Sequence, residues 1–179
     1  MASYEIFQDG VSIGTSGAAT TFDVTSLANF TNYIFTVVAT DAAGNPSSAS
    51  NALNVRTLDN QAPNGVTDLV ASGTTASSTV LTWSAVTDNA GVTNYQILNG
   101  GAFVANAGTN TTFTVTGLSS LTSYNFTVVA QDAAGNSAVA SNIVNVTTLD
   151  DIAPEAITDL SASNTTATST VLSWSAVFD

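Results

Sequence analysis

The sequence predicts an all-β protein built from tandem β-sandwiches, and three observations carry that prediction. The chain repeats itself at an offset of 91 residues: Tyr33 matches Tyr124, Pro63 matches Pro154, Trp83 matches Trp174 and Tyr4 matches Tyr95, with no insertion between them. Each period holds short runs rich in Val, Ile, Thr, Phe and Tyr, separated by Gly, Asn, Asp and Ser clusters, which is the pattern of strands and turns. No stretch keeps an apolar 3.6-residue period long enough for a helix. About seven strands per period fits a sandwich.

The elements follow in order. Asp9-Gly10 sits where a tight hairpin turn needs positive φ, and Gly100-Gly101 sits at the same place one period later. The run NYIFTVVATDAAGN returns as SYNFTVVAQDAAGN, a strand followed by a turn. The short linkers LDNQAP and LDDIAP lead into APNGVTDL and APEAITDL. Within the middle copy, Leu81 and Trp83 share one face, as do Phe113 and Val115, and Tyr124, Phe126 and Val128. The aromatic residues Trp83, Trp174, Tyr33 and Tyr124 read as core rather than as a ligand platform, and no exposed aromatic row suited to sugars is visible.

Composition narrows the function. Of 179 residues, 44% are hydrophobic, enough for a packed core. Only 8% are charged, and the balance is thirteen acids to one base, Arg56, giving a net charge of −12. Such a chain has no basic patch for nucleic acid or an anionic membrane. It contains no Cys and no His, so disulfides, thiolate metal sites and the commonest general base are excluded. There is no Lys, no GxSxG and no phosphate-cradling glycine loop, and the acids fall at matching loop positions, so no catalytic residues are expected. No apolar run is long enough for a membrane span. MASYEIF lacks a signal peptide's regions, which reads as a mature product or a fragment. Asn29, Asn110, Asn125, Asn145 and Asn164 head N-x-S/T patterns, whose use depends on the host.

The middle copy resembles a fibronectin type III (Ig-like) domain. The resemblance rests on Pro63 before the first strand, Trp83 in the second and Tyr95 in the third. Leu118 with Tyr124 resembles the family's tyrosine corner, and Phe126, Val128, Ala130, DAAGN and VNVTTL follow. The wording APxxxTDL, TDNxGVTxY and DAAGN is similar to bacterial repeats of secreted enzymes and surface proteins. The resemblance implies residues 1–59 as strands C to G of one domain, 60–150 as a complete domain, and 151–179 as strands A and B of a third. It also implies an extracellular or cell-surface setting in bacteria.

In this register Asp179 matches Asp88 and Met1 matches Val92, so both ends fall in one loop of the repeat. Two half-sandwiches are then expected. The A–B hairpin would expose Ile157, Leu160, Leu172, Trp174 and Val177, a gross stake on the order of 10 kcal/mol at most. Three outcomes stand open: the hairpin completes the head of the next chain, it folds back on its own head, or the chain is a window of a longer array. The first makes a non-closing, head-to-tail fibre of strand-complemented copies, with Trp174 packing under Tyr4, Phe35 and Val37. The alternatives in other classes are a spacer or accessory module of a secreted carbohydrate-active enzyme, and an adhesin using the B–C and F–G loops.

No cofactor is required, but the acids suggest one. The resemblance brings Asp9, Asp59, Asp88 and Asp132 toward one junction. It gathers Asp150, Asp151 and Asp179 at the next, with Asp41 of a following chain in place of Asp132. Such oxygen clusters suit Ca²⁺, which takes 6–8 oxygen ligands. The other reading is that Asp is a good turn residue that bonds its own backbone, so that no ion is involved.

Overall fold

The computed structural model describes residues 3–178, which form thirteen strands and no helix. The strands are β1 (Ser3–Gln8), β2 (Val11–Gly17), β3 (Asn32–Thr40), β4 (Leu53–Arg56), β5 (Val70–Ser72), β6 (Ser78–Thr82), β7 (Val92–Asn99), β8 (Ala102–Asn106), β9 (Thr112–Thr116), β10 (Ser123–Asp132), β11 (Val144–Thr147), β12 (Ser161–Ser163) and β13 (Val171–Ser173). They pair antiparallel into four groups ordered β2-β1-β3-β4, β5-β6-β9, β11-β10-β7-β8 and β12-β13. All-β tandem organisation is thus what the sequence predicts and what the chain adopts.

The middle sandwich closes because its strands alternate. On β10, Phe126, Val128 and Ala130 are at most 1% exposed, and they meet Leu81, Trp83, Tyr95 and Ile97 from the other strands. Each large apolar side chain so buried contributes about 1.5–3 kcal/mol. Trp83 lies edge-on to Tyr95 with ring centroids 5.5 Å apart. Thr79 is fully buried, and its hydroxyl is satisfied by Thr74 Oγ1 at 2.9 Å and the Ser72 carbonyl at 3.4 Å.

Local chemistry sets the turns. Asp9-Gly10 joins β1 to β2 and Gly100-Gly101 joins β7 to β8 in two-residue loops whose central residues all have positive φ. That is the primed turn whose twist matches the flanking strands. The Tyr124 hydroxyl accepts the Ser119 N–H at 2.8 Å, and the Tyr33 hydroxyl accepts the Ala28 N–H at the same distance. The expected tyrosine corner therefore occurs twice. Asn142 holds the segment before β5 with two bonds: its Oδ1 accepts the Leu69 N–H at 3.0 Å and its Nδ2 donates to the Leu69 carbonyl at 2.9 Å.

The first repeat departs from expectation. Strands C to G were expected over 1–59, yet residues 18–31 hold no strand where the middle copy has β9. The reason is pairing: β9 bonds only to β6, and the first repeat has no counterpart of β6 among the described residues. The segment instead lies over the sheet, with the Phe22 ring so close to Gly14 that a Cβ there would meet it at 2.8 Å. Residues 151–178 form only the β12–β13 hairpin, exposed along its whole length.

Candidate metal centre and apolar groove

Three carboxylates converge beside the linker that follows β4. Asp59 comes from that linker, Asp88 from the β6–β7 loop and Asp132 from the end of β10, where even-numbered residues face the core. One oxygen of each lies within 4.8 Å of the others. A register shift between Gln131 and Asp132 ends the β10–β7 ladder at this point, in keeping with bulges that re-aim a strand's last side chain. Asp132 is 5% exposed, while Asp59 and Asp88 are partly buried.

The hydrogen bonds leave this group incomplete. Asp132 Oδ1 accepts the Asn136 N–H at 2.8 Å and Oδ2 accepts Asn136 Nδ2 at 2.7 Å. Asp59 Oδ1 accepts the Gln61 N–H at 3.1 Å and Asn89 Nδ2 at 3.0 Å. Asp88 Oδ2 accepts the Ala90 N–H at 2.8 Å. Asp59 Oδ2 and Asp88 Oδ1 are sealed from solvent and accept nothing. The chain's one basic side chain, Arg56, is stacked on Phe30 with Cζ 3.5 Å from the ring centroid. Asn89 and Asn136 escape a reading of the sequence for metal ligands. Asn136 Nδ2 also reaches the Gln61 carbonyl at 3.2 Å, so the last residue of DAAGN touches the linker.

Burial pushes the Asp132 carboxyl up, but the Asn136 side chain and the N–H groups of Asn136, Gly135 and Ala134 outweigh it and hold the group below its ordinary value of 3.8. Asp41 is lowered chiefly by the Asn45 side chain and then by its N–H, Asp68 by Ser84 and Asp159 by Ser175. A carboxylate with a depressed folded pKa contributes stability above its unfolded value and loses it as pH falls through the folded one. Melting temperature should therefore hold from neutral pH down to about 4 and drop below it. A midpoint unchanged at about pH 2.5 would contradict these bonds.

The remaining predicted ligands lie elsewhere. Asp9 does not join the trio: its Oδ1 accepts the Ile34 N–H at 2.8 Å, because a short carboxylate in a hairpin turn reaches the adjacent strand first. Asp41 is bonded within its own loop to Ala43 and Asn45. Asp150 Oδ1 accepts the Ile152 N–H at 2.9 Å, repeating the bond of Asp59 to Gln61, and Asp151 donates its N–H to Ser120 Oγ at 3.4 Å. Asp179 lies outside the described residues. Among the described residues the second junction gathers no trio.

The second feature is apolar. Tyr4, Ile6, Phe22, Phe35, Val37 and Leu53 line an open groove of about 450 Å³ on the first sheet. The counterparts of Tyr4 and Phe35 are Tyr95 and Phe126, which β5, β6 and β9 cover in the middle sandwich. The predicted hairpin residues Ile157, Leu160, Leu172, Trp174 and Val177 are 46, 60, 52, 56 and 39% exposed, whereas Leu81 and Trp83, the counterparts of Leu172 and Trp174, are 0 and 4%. The hairpin is thus uncovered and the groove only partly covered by the Phe22 segment, and the two are not brought together within the chain.

Comparison with known proteins fits this architecture. The family of the fibronectin type III domain matches residues 62–147. Chitinase A1 of Niallia circulans is 46% identical over 153 residues, covering 83% of this chain and 22% of that protein. Exoglucanase B of Cellulomonas fimi is 39% identical over 191 aligned positions, covering all of this chain and 17% of that protein. The chain thus spans about a fifth of the length of these curated relatives. Consecutive domains of titin superpose with a TM-score of 0.60 at 18% identity, over 82% of this chain and 54% of theirs. The FN1-FN3 domains of chicken CNTN1 superpose at 0.52 and 18%, over 83% and 57%. The two structures share the fold alone. With the sandwich, the tyrosine corner and the sequence match in agreement, residues 62–147 are a fibronectin type III domain.

Proposed function

We propose that the chain is a non-catalytic spacer module of a secreted bacterial enzyme acting on a polysaccharide. The observation that carries this reading is the junction around residues 57–61, tied on both sides. Asn29 Nδ2 donates to Asn60 Oδ1 at 3.0 Å from the first repeat, while Asn89 and Asn136 hold Asp59 and Gln61 from the second. A linker bonded to both neighbours keeps successive sandwiches at a fixed spacing, as a spacer requires. The similarity to a chitinase and an exoglucanase supplies the enzyme class and, with it, an extracellular setting. The test is to replace the matching segment of chitinase A1 with this chain. Turnover of insoluble chitin should match the parent and exceed that of a deletion severalfold, with soluble oligosaccharides hydrolysed equally by all three. A replacement no better than the deletion overturns the reading.

The groove on the first sheet favours a second reading, in which copies associate head to tail. In the middle sandwich, strands of the same sequence register as β12–β13 cover the surface that corresponds to the groove. On this reading the β12–β13 hairpin of one copy seats on the first sheet of another, shifting the Phe22 segment that lines the groove, with Trp174 against Tyr4 as Trp83 lies against Tyr95.

A further inference from the structure

We propose that Asp59, Asp88 and Asp132 hold a single Ca²⁺ ion that locks the linker to the middle sandwich. Three anionic groups within 4.8 Å repel one another unless a cation lies among them. Arg56, the chain's one base, is stacked on Phe30 in a hollow it lines with Asp59, and a single charge there leaves three carboxylates under-compensated. A second observation is independent of the clustering: Asp59 Oδ2 and Asp88 Oδ1 are shut off from solvent with no donor. A sealed carboxylate oxygen without a partner carries an uncompensated desolvation cost, and a bound metal removes it. These two oxygens belong to the partly buried Asp59 and Asp88, which share the trio with the almost wholly buried Asp132 carboxylate.

The donor set selects the ion. All three donors are carboxylate oxygens, and the chain offers neither imidazole nor thiolate, which soft and borderline metals prefer. Ca²⁺ accepts irregular oxygen shells of 6–8 ligands, whereas Mg²⁺ demands a tight octahedron. Water completes the shell. The consequence is mechanical: the three donors come from the linker, from the β6–β7 loop and from the end of β10, so one ion staples three separate segments. The inference stands whether or not the chain spaces a catalytic domain.

The test uses the full chain, stripped with chelator and titrated with CaCl₂ in a calorimeter. One ion per chain is expected, with a dissociation constant of about 10⁻⁴–10⁻³ M or tighter, and a melting temperature that rises with Ca²⁺ and returns on chelation. Mg²⁺ should bind at least about tenfold more weakly. Asp88→Asn and Asp59→Asn, which leave the DAAGN loop untouched, should each weaken binding about tenfold or more. Circular dichroism and the calcium-free melt establish that the variants are folded. No heat and no melting shift up to about 10 mM Ca²⁺ overturns the proposal. So does Ca²⁺ binding that survives both substitutions, which would place the ion elsewhere on an acidic surface.

Discussion

Phe126→Ala is expected to lower the stability of the middle sandwich by about 3–5 kcal/mol, read as a shift in the denaturant midpoint with little change in slope. The side chain is 1% exposed at the centre of β10, stacked on Tyr124 at 5.9 Å and packed on strands of both sheets. Removing it forfeits the transfer free energy of the ring and leaves a cavity that close-packed neighbours cannot fill. Phe35 supplies the control. It occupies the same register on β3, but it lines an open groove, so Phe35→Ala should cost about 1 kcal/mol or less. The two substitutions differ only in what covers the residue. Equal costs would mean that the first sheet is already covered in solution.

On the head-to-tail reading proposed above, Trp174→Ala abolishes association between copies while the middle sandwich melts as before. Light scattering against concentration, with micrographs of the same samples, gives the readout. That reading requires the parent chain to grow in mass as concentration rises and to form thin threads. The indole is the largest apolar group on the hairpin and is 56% exposed, so its truncation removes the principal anchor without disturbing a packed core. A parent chain that stays monomeric at every concentration would sink the head-to-tail reading and leave the spacer reading intact. Growth that persists in Trp174→Ala would move the interface elsewhere.

The 91-residue offset visible in the sequence carries through to backbone geometry. Phe30 and Leu121 both adopt positive φ, as do Ser26 and Gly117, and Gly73 and Asn164. Side-chain identity matters less at these corners than the path the flanking strands impose. Hairpins at Asp9-Gly10 and Gly100-Gly101 were legible because their chemistry is local. The counterpart of β9 was not. TTFDV at 20–24 has the same strand pattern as TTFTV at 111–115, but a ladder needs a partner distant in sequence, and pattern alone does not say whether one is present.

The acids divide in the same way. Three of the four grouped at the first junction do meet, because their loops share one pole of the sandwich. Asp9 was drawn off by the Ile34 N–H across a hairpin, a competition that spacing does not reveal. The orphaned oxygens of Asp59 and Asp88 have no signature in one dimension at all. They arise only when linker, loop and strand end close around them.

The chain has two tryptophans, in the same register of successive repeats and in opposite surroundings: Trp83 is 4% exposed beside Tyr95, and Trp174 is 56% exposed on the hairpin. One indole should therefore emit at short wavelength and resist a soluble quencher, while the other emits at long wavelength and is quenched freely. Seating of the hairpin would carry the second into the condition of the first. The fold thus contains its own optical gauge, in which the red-emitting, quenchable half of the fluorescence counts the hairpins still uncovered.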